Sequence, residues 1–442
     1  METQKGSLKS TITVSLTNYL DAGSIVAGAS GLTLWQNYLQ LSGTHLGWLN
    51  ALSANCFGAA IGAIIGGRLA DKYGRKTIYT YNMLLYMLGV GIILCSYNFP
   101  MLLAGFLVTG ISVGVGVPAS WTYISETSEV NNRGRNIGIS QLAWSVGPAI
   151  IFLLGWLFAP TGPLGSQVHR LGSFVLQTTD EASLALFGNR LIFLTLFIVA
   201  FIAWILQRQL SESADWVETK QQESVEKQER PYKSLFTNII NIKTILYLVG
   251  IYVTWNFVAG AMGFFMPHVY ETAGGLSNET ANFLQMAMWG LTALFSFVGF
   301  ALLADKVNQR WLYAFGTSLG VLAWIILTFV GITDKAALWA FVVIWGVHAG
   351  LGVQAFYALW ASELFPAKYR AASQGLMFFL VRGLSAVWSF VFTAIFAEGK
   401  GFYTSGIIMV ILMVVSLIIG VIGTPKTRGK SLKQITQERY GS

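Results

Sequence analysis

Two apolar runs, residues 44–66 and 77–97, hold no Lys, Arg, Asp or Glu, and one short basic stretch joins them: Gly66-Gly67-Arg68-Leu69-Ala70-Asp71-Lys72-Tyr73-Gly74-Arg75-Lys76. Each run exceeds or matches the ~20 apolar residues that cross a bilayer as a helix. The stretch between them must then be a tight loop at a membrane face. Its four cations favour the cytoplasmic face, where positive loops are retained. Its glycines permit a sharp turn and close helix approach. A charged loop of no special role is the plainer reading.

Composition agrees with a membrane chain. Of 442 residues, 54% are hydrophobic and only 11% charged, against about 25% charged in soluble domains. A net charge of +8 would suggest nucleic acid for a soluble protein, but here the cations lie in loops, so membrane orientation explains them and no nucleic acid is expected. No cleavable signal pattern precedes the first apolar run. Cys56 and Cys95 fall in apolar runs and read as small core residues. The four His are scattered and suggest no metal site.

The joining stretch has a partial copy. Leu69-Ala70-Asp71-Lys72 returns as Leu303-Ala304-Asp305-Lys306, with Arg310 close behind. Ser125-Glu126 is followed by Arg133, and Ser362-Glu363 by Arg370, with the same Glu-to-Arg spacing. The two patterns repeat at offsets of 234 and 237 residues. Two loop patterns at nearly one offset indicate a duplicated six-helix half. The pattern Gly-x-Leu-Ala-Asp-x-x-Gly-Arg-Lys resembles the signature loop of the major facilitator superfamily, and the likeness covers nearly the whole chain.

Twelve spans can be placed, near 12–33, 44–66, 77–97, 99–120, 137–159, 190–209, 243–265, 280–303, 311–331, 337–359, 372–395 and 402–423. The expected fold is an all-α membrane protein with twelve transmembrane helices in two pseudo-symmetric six-helix bundles. The bundles are residues 1–209 and 243–423, with a cytoplasmic linker 210–242 and a cytoplasmic tail 424–442. Only Arg170, Arg190, Lys335 and Lys400 fall on the outer side, and Arg382 inside a span; every other Lys and Arg lies on one side. Both termini are therefore expected in the cytoplasm, with the chain in a plasma or inner cell membrane. The linker, polar and charge-mixed, suggests partly mobile surface helices. It opens with Glu212, Ser213 and Trp216, which match part of a sugar-porter motif. The outer loop 160–189 has no assignable role. Gly58, Gly62 and Gly66, and likewise Gly110 and Gly114, lie four apart, the spacing that lets helices pack closely.

Asp21 and Arg382 are the two charges placed near mid-span. A charge there costs at least ~2.5–3.5 kcal/mol, so each is a functional candidate, with a buried structural ion pair as the alternative. Tyr19-Leu20-Asp21-Ala22-Gly23 resembles the first-helix pattern of sugar porters and metabolite:proton symporters, whose Asp is the expected proton carrier. Those families usually carry a fourth-helix Arg where this chain has Phe106. Arg382 stands as the replacement partner for Asp21, or as the holder of an anionic substrate, since its planar fork suits carboxylates. Gln141 aligns with a substrate-binding Gln of sugar porters. Trp144, Trp255, Asn256, Gln285, Trp289, Gln354 and Trp388 are further candidates for the substrate site, and His348 a weaker one; Trp offers a ring face and an N–H donor. Packing is at least as good an account of each mid-span Trp. Trp35, Trp48 and Trp311 read as interface belts. The resemblance implies gating roles for Asp71, Arg75, Arg133, Arg135, Asp305, Glu363 and Arg370. Asp71 is expected near the eleventh-helix N-terminus and near Arg133 or Arg135, with Glu363 and Arg370 the equivalent set.

The chain thus reads as a carrier, not an enzyme, without cofactor or metal. No nucleotide-binding loop is present, so ATP is not expected to drive it. The expected partners are a small hydroxylated metabolite (a sugar or polyol), protons and membrane lipid, and the expected state is a monomer. The alternatives are a carrier of a sugar acid or aromatic acid held by Arg382, or a non-transporting sensor on the same fold.

Overall fold

The computed structural model describes residues 8–41, 43–212, 216–218, 235–276, 278–397 and 401–441. Most of the linker lies outside these residues, so its expected surface helices are not described. The first half contains α1 (Leu8–Ser30), α2 (Leu32–Leu39), α3 (Gly43–Leu52), α4 (Phe57–Tyr73), α5 (Arg75–Leu94), α6 (Phe99–Thr127), α7 (Arg133–Phe158), α8 (Gly165–Leu176) and α9 (Glu181–Gln207). The second contains α10 (Ile239–Phe264), α11 (Met266–Thr272), α12 (Asn278–Phe295) running on through a π-helical stretch Ser296–Ala301, α13 (Gln309–Val330), α14 (Lys335–Leu351), α15 (Val353–Glu363), α16 (Arg370–Ala397) and α17 (Gly401–Gly423). A tail helix, α18 (Leu432–Tyr440), follows. Among the described residues, ten segments are long and apolar enough to cross a membrane. The 23-residue α1 and the 28-residue α16, which carry Asp21 and Arg382, complete the twelve spans.

Several spans are broken. The first bends at Gly31 and the seventh at Phe265, 234 residues later. The second breaks between Leu52 and Phe57 and the tenth at Gly352. Helix starts are capped by short polar side chains. Asn98, Asp180 and Asp334 accept from Met101, Ser183 and Ala337 N–H groups, each cap being worth ~1 kcal/mol.

Small residues set the helix seams, as the spacing suggests. A Cβ on Gly62 would lie 2.0 Å from the Ile111 carbonyl, and one on Gly114 2.0 Å from that of Ala59. These backbone contacts fix α4 against α6. Between the halves the same device appears twice. A Cβ on Gly375 would sit 2.3 Å from the Ala63 carbonyl, and one on Gly138 2.5 Å from the Ala301 Cα. So α16 rests on α4, and α7 on the end of the eighth span.

Three expectations change. Cys95 is exposed at the end of α5, whereas Cys56 is buried. Trp35 is no lipid belt. It is 1% exposed, and its N–H donates to Asn189 Oδ1 at 3.0 Å. Trp48 and Trp311 are exposed near span ends, as interface residues would be. The outer loop contains α8, a helix absent from the sequence reading.

Candidate functional site

A central cavity of about 40 Å³ lies between the halves. Gln141 and Trp144 reach it from α7, Trp255 from α10, Trp289 from α12, and Trp345 and Gln354 from either side of the α14–α15 break. A water needs ~10–15 Å³ of cavity space, so the cavity as it stands holds a few waters. A sugar ring requires it to widen. The Gln354 amide donates to Gln141 Oε1 at 2.9 Å and ties the halves across the cavity. Two donors in this wall are unmatched: Gln141 Nε2 and Trp289 Nε1 are buried without an acceptor among the described residues. The Trp255 N–H is engaged, donating to His348 Nε2 at 3.1 Å. Beneath the cavity an aromatic layer spans the halves, with Trp121 edge-on to Tyr357 and Tyr357 stacked on Tyr252 at 4.0 Å.

The face that carries the charged loops is closed by reciprocal contacts. Asp71 at the end of α4 accepts from the backbone N–H groups of Ala371 and Ala372 (3.3 and 2.6 Å), in the first turn of α16. Asp305 accepts from Gly134 and Arg135 (3.0 and 2.8 Å), in the first turn of α7. Each half's loop aspartate therefore caps a helix of the other half, where the helix dipole favours an anion. Burial raises the Asp305 carboxyl above its usual value, against the pull of these two N–H bonds and Arg133.

The ion pairs cross as well. Arg370 meets Glu126 at 2.9 Å and Arg133 meets Glu363 at 2.8 Å. Arg75 bridges Asp71 and Glu126, both at 3.0 Å. The expected partners of Asp71, Arg133 or Arg135, are instead placed with Glu363 and Asp305, and Glu363 is placed with Arg133 rather than Arg370. Arg133 and Arg370 thus exchange glutamate partners between the halves, while the Arg75 pairs stay within the first. Arg75 has no charged twin, because the equivalent position 234 residues on is Gln309. Both bond the carbonyl five residues before them, at Ala70 and Ala304. Glu212 caps α5 by accepting from the Arg75 and Lys76 N–H groups, and Trp216 donates to the Asp71 carbonyl. Gly74 between them has φ +100°, and a Cβ there would meet Glu212 at 2.2 Å. Only glycine suits that turn.

The Major Facilitator Superfamily model matches residues 12–390. The chain belongs to this superfamily. It is 42% identical over 440 residues to the minor myo-inositol transporter IolF of Bacillus subtilis (strain 168), covering 98% of this chain and 94% of that protein. The glucose transporter GlcP of Staphylococcus epidermidis is 25% identical over 414 residues, covering 88% and 87%. Among solved structures, the proton:xylose symporter XylE superposes with a TM-score of 0.74 over 98% of this chain and 99% of that one, at 18% identity, a likeness of fold.

Within this superfamily fold the remaining sequence candidates lie off the cavity. Asn256 Oδ1 accepts from Ser385 and Gln285 Nε2 donates to the Met262 carbonyl. Trp388 donates to the Phe257 carbonyl and stacks on Phe257. Arg382 donates to the Asn55 carbonyl and Oδ1 (3.0 and 3.2 Å) and covers the Phe378 ring. No ion pair joins it to Asp21. Asp21 is fully buried, and neither carboxylate oxygen has a hydrogen-bond partner among the described residues. The nearby Asn82 Nδ2 is likewise unmatched, and both face the space beside Gly116. Phe106, at the position of the missing Arg, packs edge-on against Phe193. Sequence reading missed Trp345, Thr292 and Ser296 in the wall. Met288, Thr292 and Ser296 recur every four residues, a stripe that would have pointed to them.

Proposed function

We propose that this chain is a secondary transporter that carries a small polyol or sugar together with a proton, by alternating access between its two halves. The observation that carries the reading is the pair of buried N–H donors without acceptors, on Gln141 and Trp289, in a cavity that both halves line. Leaving a buried donor unmatched costs ~1–3 kcal/mol, and a ligand hydroxyl oxygen removes that cost. Ring faces of Trp144, Trp255 and Trp345 supply apolar surface for the C–H side of such a ligand. The similarity to a myo-inositol transporter and to sugar transporters supports this substrate class.

The closed charged face corresponds to one end of the cycle, held by the exchanged caps and ion pairs. We assign the proton to Asp21. An ionised carboxylate without a partner is costly in a dry interior, and a proton removes the charge. The cation distribution supports both termini in the cytoplasm of a cell membrane, and the chain is proposed to work as a monomer in lipid.

Counterflow of labelled myo-inositol and of xylose in proteoliposomes tests the carrier, with a pH gradient testing the coupling. Asp21→Asn should abolish uphill accumulation and retain exchange. Accumulation by the Asn variant at the wild-type level would remove Asp21 from the coupling. Exchange of sugar acids in preference to neutral polyols would replace the substrate class.

A further inference from the structure

His348 is fully buried, and it touches the cavity wall without lining the cavity. The Trp255 indole N–H, which can only donate, points at His348 Nε2 at 3.1 Å. Nε2 is therefore the acceptor, and the imidazole proton sits on Nδ1. That nitrogen faces the Gly316 carbonyl on α13 at 2.7 Å. Both ring nitrogens are satisfied by one neutral tautomer. Glycines make room for the ring. A Cβ on Gly320 would come within 2.8 Å of it and one on Gly352 within 3.0 Å. The ring also packs on Trp345 with centroids 4.7 Å apart. Trp255 lies nearly parallel to Tyr252, at 16° and 5.8 Å.

We infer that His348 is a positioning residue for the central site: it holds the Trp255 ring in one orientation and takes up its N–H. Trp255 then presents a ring face to the ligand and no hydrogen bond. Polar recognition falls to Gln141 and Trp289, whose donors remain unmatched. The indole could otherwise rotate about its side-chain torsions and offer its N–H to the cavity. His348 thereby sets which hydroxyl pattern the site accepts, through a residue that never meets the ligand. This inference rests on the central cavity being the polyol site.

The test has two arms. In the first, the protein is labelled with 5-fluorotryptophan, and the Trp255 resonance is assigned by its loss in Trp255→Phe. Without ligand, His348→Leu should shift and broaden that resonance, and His348→Gln, which keeps an acceptor, should largely restore it. An unmoved Trp255 resonance in a folded His348→Leu protein overturns the inference. In the second arm, myo-inositol exchange is measured in proteoliposomes. His348→Leu should raise the half-saturation concentration by about two- to tenfold, the range a single hydrogen bond spans, with little change in maximal rate. The same change made in Trp255→Phe should add less than about twofold. Equal losses in both backgrounds would mean that His348 acts independently of Trp255, and would overturn the inference. If the wild type binds neither polyols nor sugars, the proposed substrate class fails, while the fluorine spectra still judge the orientation of Trp255.

Discussion

At the scale of single residues, the site gives up stability to keep hydrogen-bonding capacity. Trp289 keeps a buried N–H without an acceptor beside the cavity. Trp289→Phe retains a ring and deletes the unmatched donor. It should leave the ligand-free melting temperature unchanged or higher, yet weaken myo-inositol binding by about three- to tenfold. Calorimetry with and without ligand checks both signs, and a fall in Tm together with unchanged affinity would contradict the assignment. Polar or aromatic residues in uncharged spans made Gln141, Trp144, Trp255, Trp289 and Gln354 visible from sequence. The same criterion also selected Asn256, Gln285, Arg382 and Trp388, whose polar atoms turn to internal partners such as Ser385, Met262, Asn55 and Phe257. Residue type on a helix is legible, but the side that meets the partner half is set by tertiary rotation. The same limit hid the separation of Asp21 from Arg382.

At the scale of elements, the spans were readable from apolar length, and their ends were not. The sequence begins the fifth span at 137 and ends the tenth at 359, whereas α7 starts at Arg133 and α15 runs to Glu363. The extra turns are charged, and charged turns look like loop until their partners are known. Arg133 and Glu363 are buried because each finds its partner in the other half. The two loop aspartates should respond differently to neutralisation. Asp71→Asn removes the carboxylate paired with buried Arg75 and should cost about 3–5 kcal/mol, as broken buried pairs do. Asp305, Glu363 and Arg133 already carry one negative charge too many, because Gln309 replaces the second Arg. Asp305→Asn should therefore be much milder in Tm and in exchange rate, and equal losses would refute this charge balance. The pH dependence has a definite sign. Burial raises the Asp305 carboxyl, so the folded protein holds that proton more firmly than the unfolded chain. The resulting stabilisation is full below the ordinary carboxylate range and is lost as pH rises through the raised value. The Tm advantage of wild type over Asp305→Asn should shrink from acidic to neutral buffer.

At the scale of the whole molecule, closure depends on backbone contact between the halves. Gly375 allows α16 to touch α4 near Ala63, and Gln374 donates to Thr122 across the same seam. Gly375→Leu inserts a side chain where the nearest atom is backbone, so the halves must part on the charged face. With Cys56 and Cys95 replaced, a cysteine introduced at buried Ser362 should react with a water-soluble maleimide faster in the Leu variant, by about tenfold or more if closure is lost. Equal labelling rates would mean that the seam does not hold this face shut. The duplication was legible as two loop patterns at nearly equal offsets, but the exchange of partners between the copies was not, since offsets state equivalence and not contact. That exchange has a consequence for what counts as a domain here. Each half lends an aspartate to finish a helix that the other half begins, and each carries ions neutralised only by its counterpart. Neither half is chemically complete alone. The chain is better described as an obligate heterodimer encoded as one polypeptide, and opening the charged face as its partial dissociation, repeated at every turnover.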